Sequence, residues 1–381
     1  MKVLKEFVIY QEKGFYSSFP GIAGTGDGRF FVVFRRSPNY NGLPGLPEGF
    51  HTHGDCLSQL MMVSSGDNGE TWSRPRLLCS PPDGGSQDGG MFFDGKYLFA
   101  NSFTWRFIPN ISGEISALLD FNPYVTKYMS YMACKGSYVM RSSDGGKSWE
   151  EPVYPEPMPG SKDILPGMPH RPLGRGNLLR AADGRLLLSA EYTCCTPGLE
   201  HHGSAVIWAS DDDGTSFKYY CTAIDDRGVG YFGEPSLYIT PENKWVIFTR
   251  CHRLWDRTPF GRAQCVYAYS EDEGRSWSDP VNAGFHAVPM ATHRLDDGRC
   301  MLVYGYRKED GFGVRMRVCN PELTDIETAP EEIICSDNGH PDCGYPNVAS
   351  MGDGKYLIAY YKNKPEYNGA SAIWGAVVEI K

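Results

Sequence analysis

"SSGDNGETW" (Ser64–Trp72) closes the apolar run "QLMMVS" and sets Ser, Asp, Asn, Gly and Thr ahead of a tryptophan. Asp and Asn bond their own backbone and Gly takes positive φ at no steric cost, so one copy reads as a hairpin tip. The chain writes it three more times: "SSDGGKSW" (Ser142–Trp149), "SDDDGTSF" (Ser210–Phe217) and "SEDEGRSW" (Ser270–Trp277). These copies follow the runs "GSYVMRS", "AVIWAS" and "VYAYS", each strand-like in composition. Four copies at separations of 60–77 residues make a repeat, and a repeat fixes the architecture before any other feature is weighed.

A second repeat lies between the first. "GDGRFFVVF" starts at Gly26, "FDGKYLFA" at Phe93, "ADGRLLLSA" at Ala182, "DDGRCMLVY" at Asp296 and "GDGKYLIAY" at Gly352, with a degenerate sixth copy, "PENKWVIFT", at Pro241. Each reads as a strand, a tight Asp-Gly turn and a strongly apolar strand. Six hairpins and four turns of the first kind predict an all-β fold: a six-bladed β-propeller, closed by radial repetition that leaves only short edges. It is expected to be one domain spanning residues 1–381.

Composition agrees with many short elements: 44 Gly, 27 Pro and 13% aromatics in 381 residues. The formal charge of −9 disfavours broad contact with nucleic acid, since phosphate repulsion over a wide face would go unopposed. No stretch approaches the ~20 apolar residues of a membrane helix. "MKVLKEFVIYQEKGF" is too charged and its apolar run too short for a signal peptide, so a cytoplasmic location is expected. The twelve cysteines contain no C-x-x-C pair, which disfavours a zinc ribbon, and they are expected to be mostly reduced thiols.

The hairpins can be laid in register on their turn residue. Eight positions before it stand Phe19, Ser86, Arg175, Glu234, Pro289 and Tyr345; eight after it stand Arg35, Ser102, Glu191, Arg250, Gly305 and Tyr361. Arg307 lies two residues beyond its register position. Strand-end capping explains any one of these residues. A set converging on one axis points instead to a polar site, with arginines able to grip a carboxylate through paired hydrogen bonds.

The boxes and the propeller resemble the sialidase (neuraminidase) superfamily, whose Asp-box has the form S-x-D-x-G-x-T-W. The resemblance spans nearly the whole chain. "GEPSLYITPENKWVIFTR" is similar to the segment that carries a catalytic Glu and a triad Arg, which implies Glu234 and Arg250. "DCGYPNVASMGDGKYLIAYY" resembles the segment of the nucleophilic tyrosine, implying Tyr345, with Pro346 replacing a serine. Arg307 is the best candidate for another triad arginine, with Arg315 and Arg317 as rivals, and "GDCLSQLMMVSSGDNGETW" implies Asp55 as acid/base. The implied activity is retaining exo-hydrolysis of a terminal acidic sugar, most simply an α-linked sialic acid, on a small oligosaccharide or glycoconjugate. No cofactor or metal is implied.

The pattern breaks at one wall. Ser18, in "SSFPGIAGTGDG", stands where the first triad arginine belongs, and "FRRS" places Arg35 and Arg36 where a pocket glutamate belongs. Either an arginine from elsewhere restores the clamp or the substrate differs. The loop "RRSPNYNGLPGLPEGFHTHGD" brings His51 and His53 near Asp55; substrate contact or loop packing is a simpler expectation than three metal ligands on one short loop. His170, Arg175 and Glu191, within "GMPHRPLGRGNLLRAADGRLLLSAEY", are expected to help line the pocket. Two alternatives stay open: a propeller glycosidase acting on another sugar through carboxylates or a His, and a non-catalytic carbohydrate-binding propeller.

Overall fold

The computed structural model describes residues 1–40, 55, 57–82, 84–108, 124–125, 131–161, 163–165, 167–174, 177–194, 202–225, 231–252, 264–364, 366 and 370–381. Among them the regular structure is β-strand, and no helix is long and apolar enough to cross a membrane. The fold is an all-β propeller.

Its sheets are antiparallel meanders. One runs Phe15–Gly24, Phe30–Pro38, Gln59–Ser65, Arg76–Cys79. In the next, Gly84–Ser86 and Gly90–Phe93 both pair with Leu98–Ile108, which pairs with Tyr131–Ser142. An eight-stranded sheet follows; among the described residues its halves meet at a single parallel pair, Gly203 with Tyr231. Then comes Met290–Arg294, Cys300–Tyr306, Gly313–Cys319, Glu331–Cys335. In the last sheet Gly344–Gly352, Lys355–Lys362 and Ala372–Glu379 are joined at the edge by Lys2–Tyr10, from the other end of the chain.

Strand alternation explains how the sheets stack. In "FFVVF", Phe30, Val32 and Phe34 face the last sheet through Leu357, Ala359 and Tyr361, whereas Phe31 and Val33 face Leu98, Ala100 and Tyr138. Successive side chains point to opposite faces, so a strand apolar at every position is one buried on both sides. Similar clusters lie between the other sheets and also inside the eight-stranded one, where Leu187 and Ile207 meet Ile247 and Val266.

The innermost strands converge on an axial cavity of about 880 Å³, lined among others by Ile22, Met91, Leu179, Tyr238, Ala291 and Ala349. All six sequence hairpins turn at the mouth of that cavity. Their third turn residue is left-handed throughout, Gly28, Gly95, Gly184, Gly298 and Gly354 by glycine and Asn243 by asparagine at φ 63°. Asparagine tolerates that region, which is why the degenerate "PENK" copy still turns.

The Asp-boxes are self-contained turns. Asp67 accepts the Ser65 hydroxyl (2.7 Å) and the Thr71 N–H (2.9 Å), while Gly69 N–H donates to Ser65 Oγ (2.9 Å). The same bonds recur at Ser142/Asp144, Ser210/Asp212 and Ser270/Asp272. In the Met290–Cys335 sheet an Asn320 turn replaces the box, its side chain accepting the N–H groups of Glu322 (3.1 Å) and Thr324 (3.2 Å). Among the described residues the last sheet shows no such turn; its outer two strands, Lys2–Tyr10 and Ala372–Glu379, come from distant parts of the chain.

Candidate active site

At the end of the hairpins away from the boxes, three inner strands carry the same irregularity. Phe19, Glu234 and Tyr345 have φ of 53°, 52° and 53°, and each precedes a proline. The ladder skips between Ser18 and Gly21, Gly233 and Ser236, and Gly344 and Asn347. Left-handed backbone at a bulky residue costs on the order of 1–3 kcal/mol and persists only where its surroundings enforce it. A bulge re-aims a side chain, and here it directs two rings and a carboxyl of the same register toward one another.

The result is a connected cluster. Tyr345 Oη donates to Glu234 Oε1 (2.5 Å), and Glu234 Oε2 pairs with Arg250 Nη1 (3.2 Å). The Tyr345 ring packs against Phe19 (4.6 Å between centroids) and Tyr361 (5.8 Å), with the Arg307 guanidinium 5.3 Å from its centroid. Arg307 also donates to the Cys343 carbonyl (3.0 Å) and the Tyr361 hydroxyl (3.2 Å). Burial alone would lower its pKa, but Tyr361, Tyr345 and Asp342 more than offset this and raise it. The Asp342 carboxylate accepts hydroxyls from Tyr361 (2.5 Å) and Tyr16 and lies 4.0 Å from Arg307.

Glu191 stands behind Glu234. Its Oε2 accepts the backbone N–H of Glu234 (2.7 Å) and its Oε1 accepts the Tyr231 hydroxyl (2.5 Å). Burial, with the charge of Glu234 adding to it, pushes this carboxyl up to about 7 against the pull of its hydrogen bonds and of Arg250. At 9% exposure Glu191 is buried, bonded to both Glu234 and Tyr231.

The wall at Ser18 is rebuilt around Arg35, its partner across the strand pair. Arg35 is fully buried, its guanidinium 5.8 Å from the Phe19 ring and 5.7 Å from Tyr16. Burial lowers its pKa, opposed by Tyr16, Asp55, Asp88 and Asp342, so positive charge does stand beside the gap. A side chain with no exposure supplies that charge from within the wall. Arg36 is a correction: one residue on, it faces the other way, paired with Glu12 (3.2 Å) and stacked 4.0 Å from the Phe15 centroid. Arg315 and Arg317 are engaged by Glu331 at 2.5 Å and 3.8 Å, which leaves Arg307 as the arginine on the tyrosine.

Asp55 is buried, and its Oδ1 accepts the Leu57 N–H (2.7 Å). This is a turn geometry. His170 packs on Tyr192, 4.4 Å between rings, and burial pulls it down to about 4. Arg175, His51 and His53 lie outside the described residues.

Sequence reading overlooked a second tier. Three positions before Phe19, Glu234, Pro289 and Tyr345 stand Tyr16, Tyr231, His286 and Asp342. Tyr16 and Tyr231 bond to carboxylates of the cluster, and Asp342 receives two of its tyrosines. His286 is held down to about 4 by burial and by Lys308, Arg250, Arg307 and Arg315, so it is neutral among the cations. The recurrence of polar residues at that offset, and of proline just after the register residue, was the available signal.

Solved structures share this fold. An unknown function protein from Dyadobacter fermentans is 32% identical, with a TM-score of 0.87 over 100% of this chain and 99% of its own. The NanB sialidase of Streptococcus pneumoniae is 14% identical, TM-score 0.62, over 98% of this chain and 70% of its own. The Trypanosoma rangeli sialidase in complex with sialic acid is 14% identical, TM-score 0.61, over 95% of this chain; the match spans about half (54%) of that protein. No curated protein matches the chain in sequence. Residues 113–358 match the model of the BNR repeat-like domain, and with its Asp-boxes and propeller the chain belongs to that family.

Proposed function

We propose that this protein is a retaining exo-glycosidase that removes a terminal acidic sugar, an α-linked sialic acid in the leading case, from a small oligosaccharide or glycoconjugate. The observation that carries the reading is the 2.5 Å hydrogen bond from Tyr345 Oη to Glu234 Oε1. A sugar with a carboxylate on its anomeric carbon repels a carboxylate nucleophile. A phenol that becomes nucleophilic only as a neighbouring glutamate takes its proton avoids that repulsion, and sialidases with a tyrosine nucleophile are the known departure from two-carboxylate glycosidases.

In the first step Tyr345 Oη attacks the anomeric carbon and its proton passes to Glu234, while Asp55 protonates the departing oxygen. In the second, Asp55 takes a proton from water, the hydroxide bonds to the anomeric carbon, and Tyr345 leaves and recovers its proton from Glu234. Arg307, above the tyrosine ring, favours the phenolate, and with Arg250 it holds the substrate carboxylate. Arg35 contributes charge to the wall rather than a contact.

The reading includes a six-bladed propeller formed as one domain by residues 1–381. Six inner hairpins border one cavity, and the eight-stranded sheet has a hydrophobic cluster packed between its halves, which among the described residues are joined by one parallel pair. Each half then counts as a blade.

Hydrolysis of an aryl α-sialoside, with the first-formed sugar retaining its anomeric configuration by NMR and activity lost in Tyr345→Phe, supports the reading. A second reading, a different sugar, draws on Ser18 and on the Asp342 carboxylate that already faces Arg307 at 4.0 Å. Inertness toward the sialoside together with hydrolysis of a neutral aryl glycoside selects it.

A further inference from the structure

We infer that Glu191 is a positioning residue for Glu234: it fixes the backbone of the left-handed bulge from which Glu234 reaches Tyr345. The inference rests on the proposed roles of Glu234 and Tyr345. The bulge removes Glu234 and Pro235 from the strand ladder, which pairs Gly233 with Arg250 and resumes at Ser236 with Phe248. Buried backbone groups freed in this way need other partners. The strand Leu186–Cys194 supplies them with two side chains on one face. Glu191 Oε2 takes the Glu234 N–H at 2.7 Å, and the Ser189 hydroxyl donates to the Pro235 carbonyl at 3.3 Å. Pro235 has no N–H, so both ends of the bulge are gripped from the neighbouring sheet half.

The seat is shaped for the carboxylate. A Cβ added at Gly233 would come within 2.7 Å of Glu191 Oε2 and 2.5 Å of the Tyr231 ring, so only glycine leaves room there. Tyr231 donates to the other carboxylate oxygen at 2.5 Å and fixes its plane. Among the described residues the ionisable groups facing Glu191 are Tyr231 and Glu234 from one strand and Arg250 from the next; its own backbone pairs with Leu173. The ionised carboxylate serves both donors with two acceptor oxygens. Its protonation converts one acceptor into a donor and loosens the grip. Because the carboxyl titrates at about 7, the hold on Glu234 strengthens as pH rises through neutrality.

The test uses Glu191→Ala and Glu191→Gln in the full chain, with kcat and KM measured across pH on an aryl glycoside that the wild type hydrolyses, and hydrogen exchange at the Glu234 amide. Misplacement of a reacting group by about 1 Å costs roughly 100-fold in rate, so the alanine variant is expected to lose roughly 10- to 100-fold in kcat with KM little changed. Its Glu234 amide should exchange at least about tenfold faster, since the hydrogen bond that protects it is gone. Glutamine, like the protonated carboxyl, offers one acceptor and one donor group: amide protection should fall to the wild type's low-pH level, and the rise of kcat near pH 7 should vanish. An unchanged kcat with unchanged amide protection in Glu191→Ala overturns the inference, as does a raised KM with unchanged kcat, which would make Glu191 a substrate contact. If Glu191→Ala does not fold, the pH profile of Glu191→Gln decides. If the wild type hydrolyses no glycoside, the functional reading fails, while amide exchange still decides whether Glu191 holds the bulge.

Discussion

The Asp-box turns and the bulged strand ends lie at opposite ends of the sheets that carry both: in the first, Ser65 pairs with Phe30 at one end of the strand Phe30–Pro38, and Ser18 with Arg35 toward the other. Near the boxes the chain repeats itself, and each copy satisfies its own hydrogen bonds within eight residues. At the bulged end only the backbone device repeats. The side chains differ at every copy, phenylalanine, glutamate and tyrosine, and Tyr345 meets both Phe19 and Glu234 across sheets. Local, repeated satisfaction specifies how a sheet closes. Divergent residues tied across sheets, on a backbone that costs energy to hold, mark where chemistry is built.

The comparison breaks most visibly if the bulged end can be altered without functional cost. Tyr345→Phe keeps the ring among Phe19 and Tyr361 and removes only the hydroxyl. It should lower kcat by on the order of 10³–10⁶ with Tm unchanged. Glu234→Gln should lose roughly 10²- to 10⁴-fold. Both are read by steady-state kinetics beside a thermal melt. Next in size, Arg307→Lys keeps a charge but loses the planar fork over the tyrosine. A drop of roughly 10- to 100-fold in kcat/KM, the scale of a charge-assisted hydrogen bond, is expected on an acidic substrate. A much smaller loss on a neutral glycoside would sharpen the choice of sugar.

Changes at the box end should do the reverse. Asp67→Ala or Asp272→Ala is expected to lower Tm by a few degrees and leave kcat within error, since each carboxylate serves one turn. Acid should act on this end too. Hydrogen bonds from Thr71 and Ser65 hold Asp67 down to about 2, and those from Ser276 and Ser270 do the same for Asp272. A carboxyl depressed on folding stabilises above its unfolded pKa of about 4, and that contribution is lost as pH falls toward 2. Melting curves between pH 5 and pH 2 should fall less steeply in Asp67→Asn than in the wild type.

The two ends also differed in how far sequence revealed them. The boxes and Asp-Gly hairpins were plain because their bonds are local: spacing alone names every donor and acceptor. Counting eight residues from the turn found Glu234, Tyr345, Arg250 and Arg35 because strands rise uniformly until the bulge. The same count could not say which of Arg35 and Arg36 faces inward, nor that Glu191 bonds to both Glu234 and Tyr231. Those facts depend on burial and on contacts between sheets. The second tier of Tyr16, Tyr231, His286 and Asp342 went unread because its roles differ at each copy, although its position does not.

The central claim is that Tyr345, with its proton taken by Glu234, forms the bond to the sugar. Its most direct measurement is an acid quench during turnover of an aryl α-sialoside, followed by peptide mapping by mass spectrometry. The account predicts the mass of one sugar on the peptide containing Tyr345, and none in Tyr345→Phe. An adduct on an aspartate or glutamate peptide, or undiminished turnover in Tyr345→Phe, would contradict it.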